Sequence, residues 1–214
     1  METAELIKIL ATIFALIIAI VGHEIMHGWV AHKYGDNTAK DQGRLSINPI
    51  VHVDPIGTIL VPALLYFSGA PFLFGWAKPV PVYMPTVLRN GGTNAAVAVA
   101  LAGITFNLAV AAFFATIFPL FSEPQSMMQA FFAYFLFQSI ILNVLLAVFN
   151  LLPVPPLDGA NAVRYLAAGW NMKSVVKFYD TLYPYGMIFI ILILATPLKH
   201  YIFEPVSWII KLLL

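Results

Sequence analysis

The stretch Ile7-Lys8-Ile9-Leu10-Ala11-Thr12-Ile13-Phe14-Ala15-Leu16-Ile17-Ile18-Ala19-Ile20-Val21-Gly22-His23-Glu24-Ile25-Met26-His27 carries no charge between Lys8 and Glu24, then ends on two imidazoles around a carboxylate. A helix needs about 20 residues to cross a hydrocarbon core, and this run is apolar and long enough to do so. Glu2 and Glu5 spoil the basic start of a secretory leader, and no small-residue cleavage site precedes His23. The run therefore reads as a mature transmembrane helix with ionisable side chains near its end.

Positions i and i+4 share one helix face, so His23 and His27 can reach the same ion while Glu24 leans over it. The spacing matches the His-Glu-x-x-His pattern, in which two imidazoles bind zinc and the glutamate acts as general base. A chance match on a soluble helix is the plainer alternative. The apolar setting weighs against it, since a charged side chain at the bilayer centre costs about 2.5–3.5 kcal/mol on insertion scales.

Composition supports the membrane reading. Hydrophobic residues make up 61% of the chain and charged residues only 10%, against roughly 25% charged in soluble domains. The mean hydropathy is +0.87. Once spans of about 20 residues are assigned, 214 residues leave no room for a separate soluble domain, and one membrane-embedded domain over residues 1–214 is expected. The absence of cysteine excludes disulfides, thiolate metal sites and cysteine nucleophiles. A net charge of +1 with scattered basic residues argues for no nucleic-acid partner.

Further apolar stretches cover residues 56–76, 93–121, 127–157 and 182–198, with an amphipathic tail over 202–214. Pro62, Gly69, Pro71, Gly75, Pro79 and Pro81 interrupt the first of these. Irregular backbone at membrane depth survives only where protein or a wet cavity surrounds it, so residues 56–83 are expected to enter and return as a re-entrant unit with a small β-hairpin. Lys33, Lys40, Arg44, Lys78, Arg89, Arg164, Lys173 and Lys177 mark cytoplasmic segments by the positive-inside rule, and the turn at Glu123 lies outside. The predicted class is an all-α polytopic membrane protein of about four to six transmembrane helices. After the first helix, spans are expected over residues 93–118, 127–151 and 175–195. Alanines 95, 96, 98, 100 and 102, with Gly103, form a stripe that permits close helix packing.

A third metal ligand is needed, and Asp158 is the candidate. It follows Asn150-Leu151-Leu152-Pro153-Val154-Pro155-Pro156-Leu157, whose prolines end a helix and free backbone groups. Its other reading is an N-cap in an interfacial turn. The predicted topology brings His27 and Asp158 to similar depth.

In these segments the chain closely resembles the site-2 protease family of intramembrane zinc metalloproteases, peptidase family M50. The likeness rests on His23-Glu24-Ile25-Met26-His27, on residues 150–159, and on two accessory segments. These are Gly43-Arg44-Leu45-Ser46-Ile47-Asn48-Pro49-Ile50-Val51-His52-Val53-Asp54-Pro55-Ile56-Gly57-Thr58 and Phe74-Gly75-Trp76-Ala77-Lys78-Pro79-Val80-Pro81-Val82. The form is a minimal core without PDZ or CBS modules. Where the family usually reads Gly-Pro-x-x-Asn, this chain has Gly103-Ile104-Thr105-Phe106-Asn107. Where the family commonly has Pro-Val-Asn, Tyr83 follows Val82.

The resemblance implies that His23, His27 and Asp158 hold one zinc ion and that Glu24 activates its water. It implies cleavage within the transmembrane segment of single-span membrane proteins, in the lipid bilayer of a prokaryotic cell, near its cytoplasmic side. Asn150 and Asn107 are candidates for stabilising the oxyanion, although each could instead bridge helices. His52, between two prolines, is a candidate for approaching the site. Val80, Val82 and Tyr83 are expected to offer a strand edge to an unwound substrate. Two other functions fit parts of the pattern: a metal-ion transporter, and a catalytically silent scaffold of the same fold. Transport would want ligands repeated along facing helices, whereas the expected second, third and fourth spans contain no histidine.

Overall fold

The structure is a computed structural model that describes residues 2–70, 72 and 74–214. Helix α1 (Glu2–Lys33) is unbroken over 32 residues, about 48 Å long. It exceeds the bilayer core, so His23 and His27 lie well towards one end. A short helix α2 (Thr38–Asp41) follows. Two tight turns then lead into the accessory region: a 3-10 helix at Pro49–His52 and a π-helix at Pro55–Leu60, which runs into α3 (Val61–Phe67).

Both turns begin in the same way. Asn48 accepts a hydrogen bond from the Ile50 N–H at 3.1 Å, and Asp54 accepts from Ile56 and Gly57 at 2.9 and 2.6 Å. Each cap is followed by proline in the first helical position, where the missing N–H costs nothing. The Asn-Pro and Asp-Pro pairs of the accessory motif thus build backbone.

The apolar helix Pro55–Phe67 is too short to cross a membrane. The expected β-hairpin within residues 56–83 does not form: no strand occurs among the described residues. Residues 74–83 have no regular secondary structure, and those of their N–H groups that pair with backbone find partners at helical turns. Trp76 donates to Gly57 O at 3.1 Å and Lys78 to His52 O at 2.9 Å. Pro79 and Pro81 have no N–H to continue a ladder. Pro71, which the sequence reading counted among the breaks, lies outside the described residues.

Among the described residues, four helical segments are long and apolar enough to cross a membrane: Ala4–Lys33, Met84–Phe121, Met127–Leu151 and Lys173–Ala195. The second contains α4 (Met84–Ile117), which breaks at Gly92 (φ 64°, ψ −162°), a conformation that only glycine adopts readily. The predicted span at residues 93–118 is thus the part of α4 beyond this break. Helix α5 (Met127–Leu151) has the predicted bounds. Helix α6 (Asp158–Gly169) is short. The predicted fourth span is two helices, α7 (Lys173–Leu182) and α8 (Gly186–Ala195), joined by a 3-10 turn at Tyr183–Tyr185, where Pro184 removes a ladder hydrogen bond. Helix α9 (Leu198–Leu213) closes the chain.

Helix α4 is central, packing on α1, α5 and α6. Helix α9 lies on α5, with Val206 buried against Ala111 and Val144. Small residues allow the α1 and α4 backbones to interlock. A Cβ added at Gly22 of α1 would lie 2.1 Å from the Phe106 ring, and one added at Gly103 of α4 would lie 2.5 Å from the His23 ring. Each helix therefore receives a ring from the other on a bare glycine. Of the alanine stripe, Ala95, Ala96, Ala100 and Ala102 are buried, and Ala95 packs in one cluster with Ala31 of α1.

Candidate metal centre and catalytic cleft

His23 and His27 project from one face of α1, and α6 begins at Asp158 opposite them. The three donor atoms form a small triangle. His23 Nε2 is 3.1 Å from His27 Nε2 and 3.1 Å from Asp158 Oδ2, and His27 Nε2 is 3.3 Å from Asp158 Oδ2. Among the described residues these three form the one group of donors close enough to share a metal ion.

The outer nitrogens of both rings face acceptors. His23 Nδ1 lies 2.6 Å from Asn107 Oδ1, and His27 Nδ1 lies 2.7 Å from Val99 O. Both Nδ1 atoms are placed to donate, and in that tautomer each ring turns a bare Nε2 to the centre. Asp158 Oδ2 is buried with no hydrogen-bond partner. Three donor atoms this close fit around one shared cation. Tetrahedral zinc with bonds of about 2.0–2.2 Å sets its ligand atoms roughly 3.3–3.5 Å apart, close to the observed spacing. The donor set of two imidazoles and a carboxylate is also a known catalytic zinc set that leaves a position open. The residues present fit the metal.

Glu24 lies beside this triangle, and its Oε2 accepts a hydrogen bond from the Val80 N–H at 2.8 Å. The strap of residues 74–83 is thereby tied to the carboxylate. Arg44, buried within the protein, fixes the strap from behind by donating through Nη2 to Lys78 O at 2.8 Å and Pro79 O at 3.3 Å. Asp36 anchors its end, accepting from the Tyr83 N–H at 2.6 Å. Gly57 leaves room for the Trp76 indole, which a Cβ there would meet at 2.3 Å.

A cavity of about 690 Å³ opens onto the site and contains His23, Glu24, His27 and Asp158 on its wall. Asn150, Val80 and Val82 line it as well. Asn150 donates to Leu146 O at 3.0 Å, which leaves its second amide hydrogen available. The other predicted cleft residues lie elsewhere. Asn107 does not line the cavity. Its amide nitrogen donates to Ala19 O at 3.0 Å and Asn143 Oδ1 at 2.8 Å, so both hydrogens are engaged and neither is available to an oxyanion. His52 is buried away from the cavity, with Nε2 2.8 Å from Ser46 O. Tyr83 is also off the cavity wall, and its N–H goes to Asp36.

The expected strand edge at residues 80–83 is consequently not free. The Val80 and Tyr83 N–H groups are bonded and Pro81 has none, which leaves Val82. Gly103 serves the expected helix packing and Asn107 the expected alternative of bridging helices, both behind His23. What sequence reasoning missed is Asn143 behind Asn107 and Arg44 behind the strap; Asn143 was detectable in principle, because amides are costly in apolar helices unless they find partners.

Comparison with known proteins agrees with this geometry. Peptidase family M50 matches residues 120–194. A Bacillus subtilis protein described as "Putative zinc metalloprotease YwhC" is 36% identical over 198 residues, covering 90% of this chain and 84% of its own length. The chain belongs to peptidase family M50. Proteins named Rip2 from Mycolicibacterium smegmatis and Mycobacterium tuberculosis, with the same description, are each 27% identical. The alignments cover 96% and 94% of this chain and 77% and 75% of theirs. No solved structure matches the chain. Family and apolar helices together make this M50 member an integral membrane protein of the metalloprotease class.

Proposed function

We propose that this M50 member is an intramembrane zinc metalloprotease of the site-2 type, a single domain that hydrolyses a peptide bond within the transmembrane segment of single-span membrane proteins. The observation that carries the reading is the convergence of His23, His27 and Asp158 beside Glu24, on a cavity framed by apolar helices. His23, His27 and Asp158 would hold the zinc, which would supply Lewis-acid polarisation of the scissile carbonyl and lower the pKa of a water towards neutral. Glu24 acts as the general base and acid, taking a proton from the attacking water and passing it to the leaving amine. The Val80 N–H holds the carboxylate in place for this exchange. Asn150 directs its remaining amide hydrogen into the cavity to stabilise the oxyanion.

A substrate helix must unwind to expose its amide, and the freed backbone needs hydrogen-bond partners at membrane depth. Since residues 80–83 are largely engaged, we assign that pairing mainly to Gly75 and Ala77. Both line the cavity, and their N–H groups have no partner among the described residues. They alternate in sequence with Trp76 and Lys78, whose N–H groups are paired. The site is assigned to the cytoplasmic side, on the support of Lys33, Lys40, Arg44, Lys78 and Arg89 near the site end and Glu123 at the other.

The test is incubation of the purified protein, wild type and Glu24→Gln, with candidate single-span membrane proteins, with cut positions mapped by mass spectrometry. Cleavage inside the apolar segment by the wild type alone is the expected result. Cuts confined to soluble loops, or zinc uptake into liposomes without any cleavage, would overturn the proposal.

A further inference from the structure

We infer that Gly103, Asn107 and Asn143 form a relay that sets His23 in the metal-ready tautomer before any metal arrives, and thereby tunes the affinity of the site for zinc. The inference rests on the reading of His23, His27 and Asp158 as metal ligands. Asn107 and Asn143 are both completely buried. Their amides are oriented in sequence. Asn143 Nδ2 donates to Ser139 O at 2.8 Å, which turns Asn143 Oδ1 towards α4. Asn107 Nδ2 donates to that oxygen at 2.8 Å and to Ala19 O at 3.0 Å, so Asn107 Oδ1 must face His23 Nδ1.

A reversed Asn107 would donate to His23 Nδ1 instead. The ring would then carry its hydrogen on Nε2, pointing at the metal position, and could not bind until it rearranged. Asn143 blocks that reversal because it presents an acceptor, not a donor, to Asn107. Gly103 supplies the space: it stands one turn before Asn107 on the same face of α4, and a Cβ there would meet three ring atoms of His23 at 2.5 Å. One residue of the Gly-x-x-x-Asn motif thus seats the ring, and the other sets its proton.

His27 provides the internal control. Its Nδ1 bonds to the Val99 backbone carbonyl, which has no alternative orientation of this kind. Loss of the relay should therefore disturb His23 and spare His27.

The experiment uses the full chain in detergent, with zinc affinity measured by competition against a chromophoric chelator. Imidazole tautomers are read from the nitrogen shifts of histidine-labelled, metal-free protein; the chain has 5 histidines. Asn143→Leu, which does not touch the metal ligands, is expected to weaken zinc binding about 10- to 100-fold. It should shift His23 towards a mixture of tautomers and leave His27 unchanged. Combining it with Asn107→Asp, whose carboxylate can only accept from His23, should restore both the tautomer and most of the affinity. Wild-type affinity and an unchanged His23 signal in Asn143→Leu would overturn the relay. If that variant does not fold, the milder Asn143→Ala applies the same test. His23→Ala is measured alongside. If it binds zinc as wild type does, the ligand assignment fails; if it loses zinc while folded Asn143 variants do not, only the relay fails.

Discussion

His23, His27 and Asp158 are presented by regular helices and backed by buried groups, whereas Glu24 has its carboxylate tied to residues 74–83, which have no regular structure. The two halves of the site answer different demands. Metal ligands must converge within a few tenths of an ångström, which packed helices achieve because side-chain rotamers and neighbours fix one another. On the proposed function the strap leaves backbone groups open to a substrate chain, and a regular helix or a completed ladder would close them. Its position is instead held at separate points by Arg44, by Asp36 and by the carbonyls of Gly57 and His52.

Breaking the helical half should have the largest effect. His27→Ala or Asp158→Ala is expected to lower bound zinc from about one ion per chain to near none by elemental analysis, since each leaves only two of the three protein ligands a catalytic site needs. Next is Glu24→Gln, which should keep the metal and lower cleavage about 10²- to 10⁴-fold, the usual contribution of general acid–base catalysis. Retention of wild-type turnover in that variant would remove Glu24 from the mechanism. Gly103→Ala should weaken zinc binding at least about tenfold, because the added methyl overlaps the His23 ring. A variant with unchanged affinity would show that α1 and α4 are not locked as described.

On the strap side, Arg44→Leu removes the donor from Lys78 O and Pro79 O. Its expected signature is a cleavage rate lowered about tenfold with zinc content unchanged, and a stability loss of about 1–3 kcal/mol from buried carbonyls left unpaired. Equal losses of zinc and cleavage would mean that the halves are not separable. The smallest effect belongs to Asp36→Asn. Burial alone would raise the Asp36 carboxyl's pKa, but hydrogen bonds from Thr38 and Tyr83 outweigh it and hold the group below its ordinary value. A depressed folded-state value stabilises the protein above the unfolded value of about 3.9, and the contribution is lost as pH falls through the folded value. Asp36→Asn should therefore lower thermal stability at pH 7, with the gap to wild type closing below about pH 4.

The helical half was also the more legible one. His23 and His27 lie a turn apart in local sequence, and an apolar run around them is visible without any tertiary information. Asp158 required a topology, but charge placement supplied one. The strap was misread because its proline and glycine content reports that regular structure stops, not what replaces it. His52, read as a candidate for approaching the site, is engaged with Ser46 O, and the flanking Asn48 and Asp54 are helix caps. Asn107, read as an oxyanion donor or a bridge between helices, is the bridge and lies behind His23, because the face a buried amide turns to is set by the helices around it.

The sequence by itself determined that the chain crosses a membrane, roughly where its long helices run, and which side chains can bind a metal. Hydropathy and i, i+4 spacing are local properties, and a bilayer solvent leaves few other ways to satisfy the backbone. Only the tertiary structure decided which amide faces which ring, which N–H groups of the strap remain open, and that two bare glycines let α1 and α4 exchange His23 and Phe106. Those outcomes depend on contacts between residues 19 to 84 positions apart, whose partners no local pattern specifies.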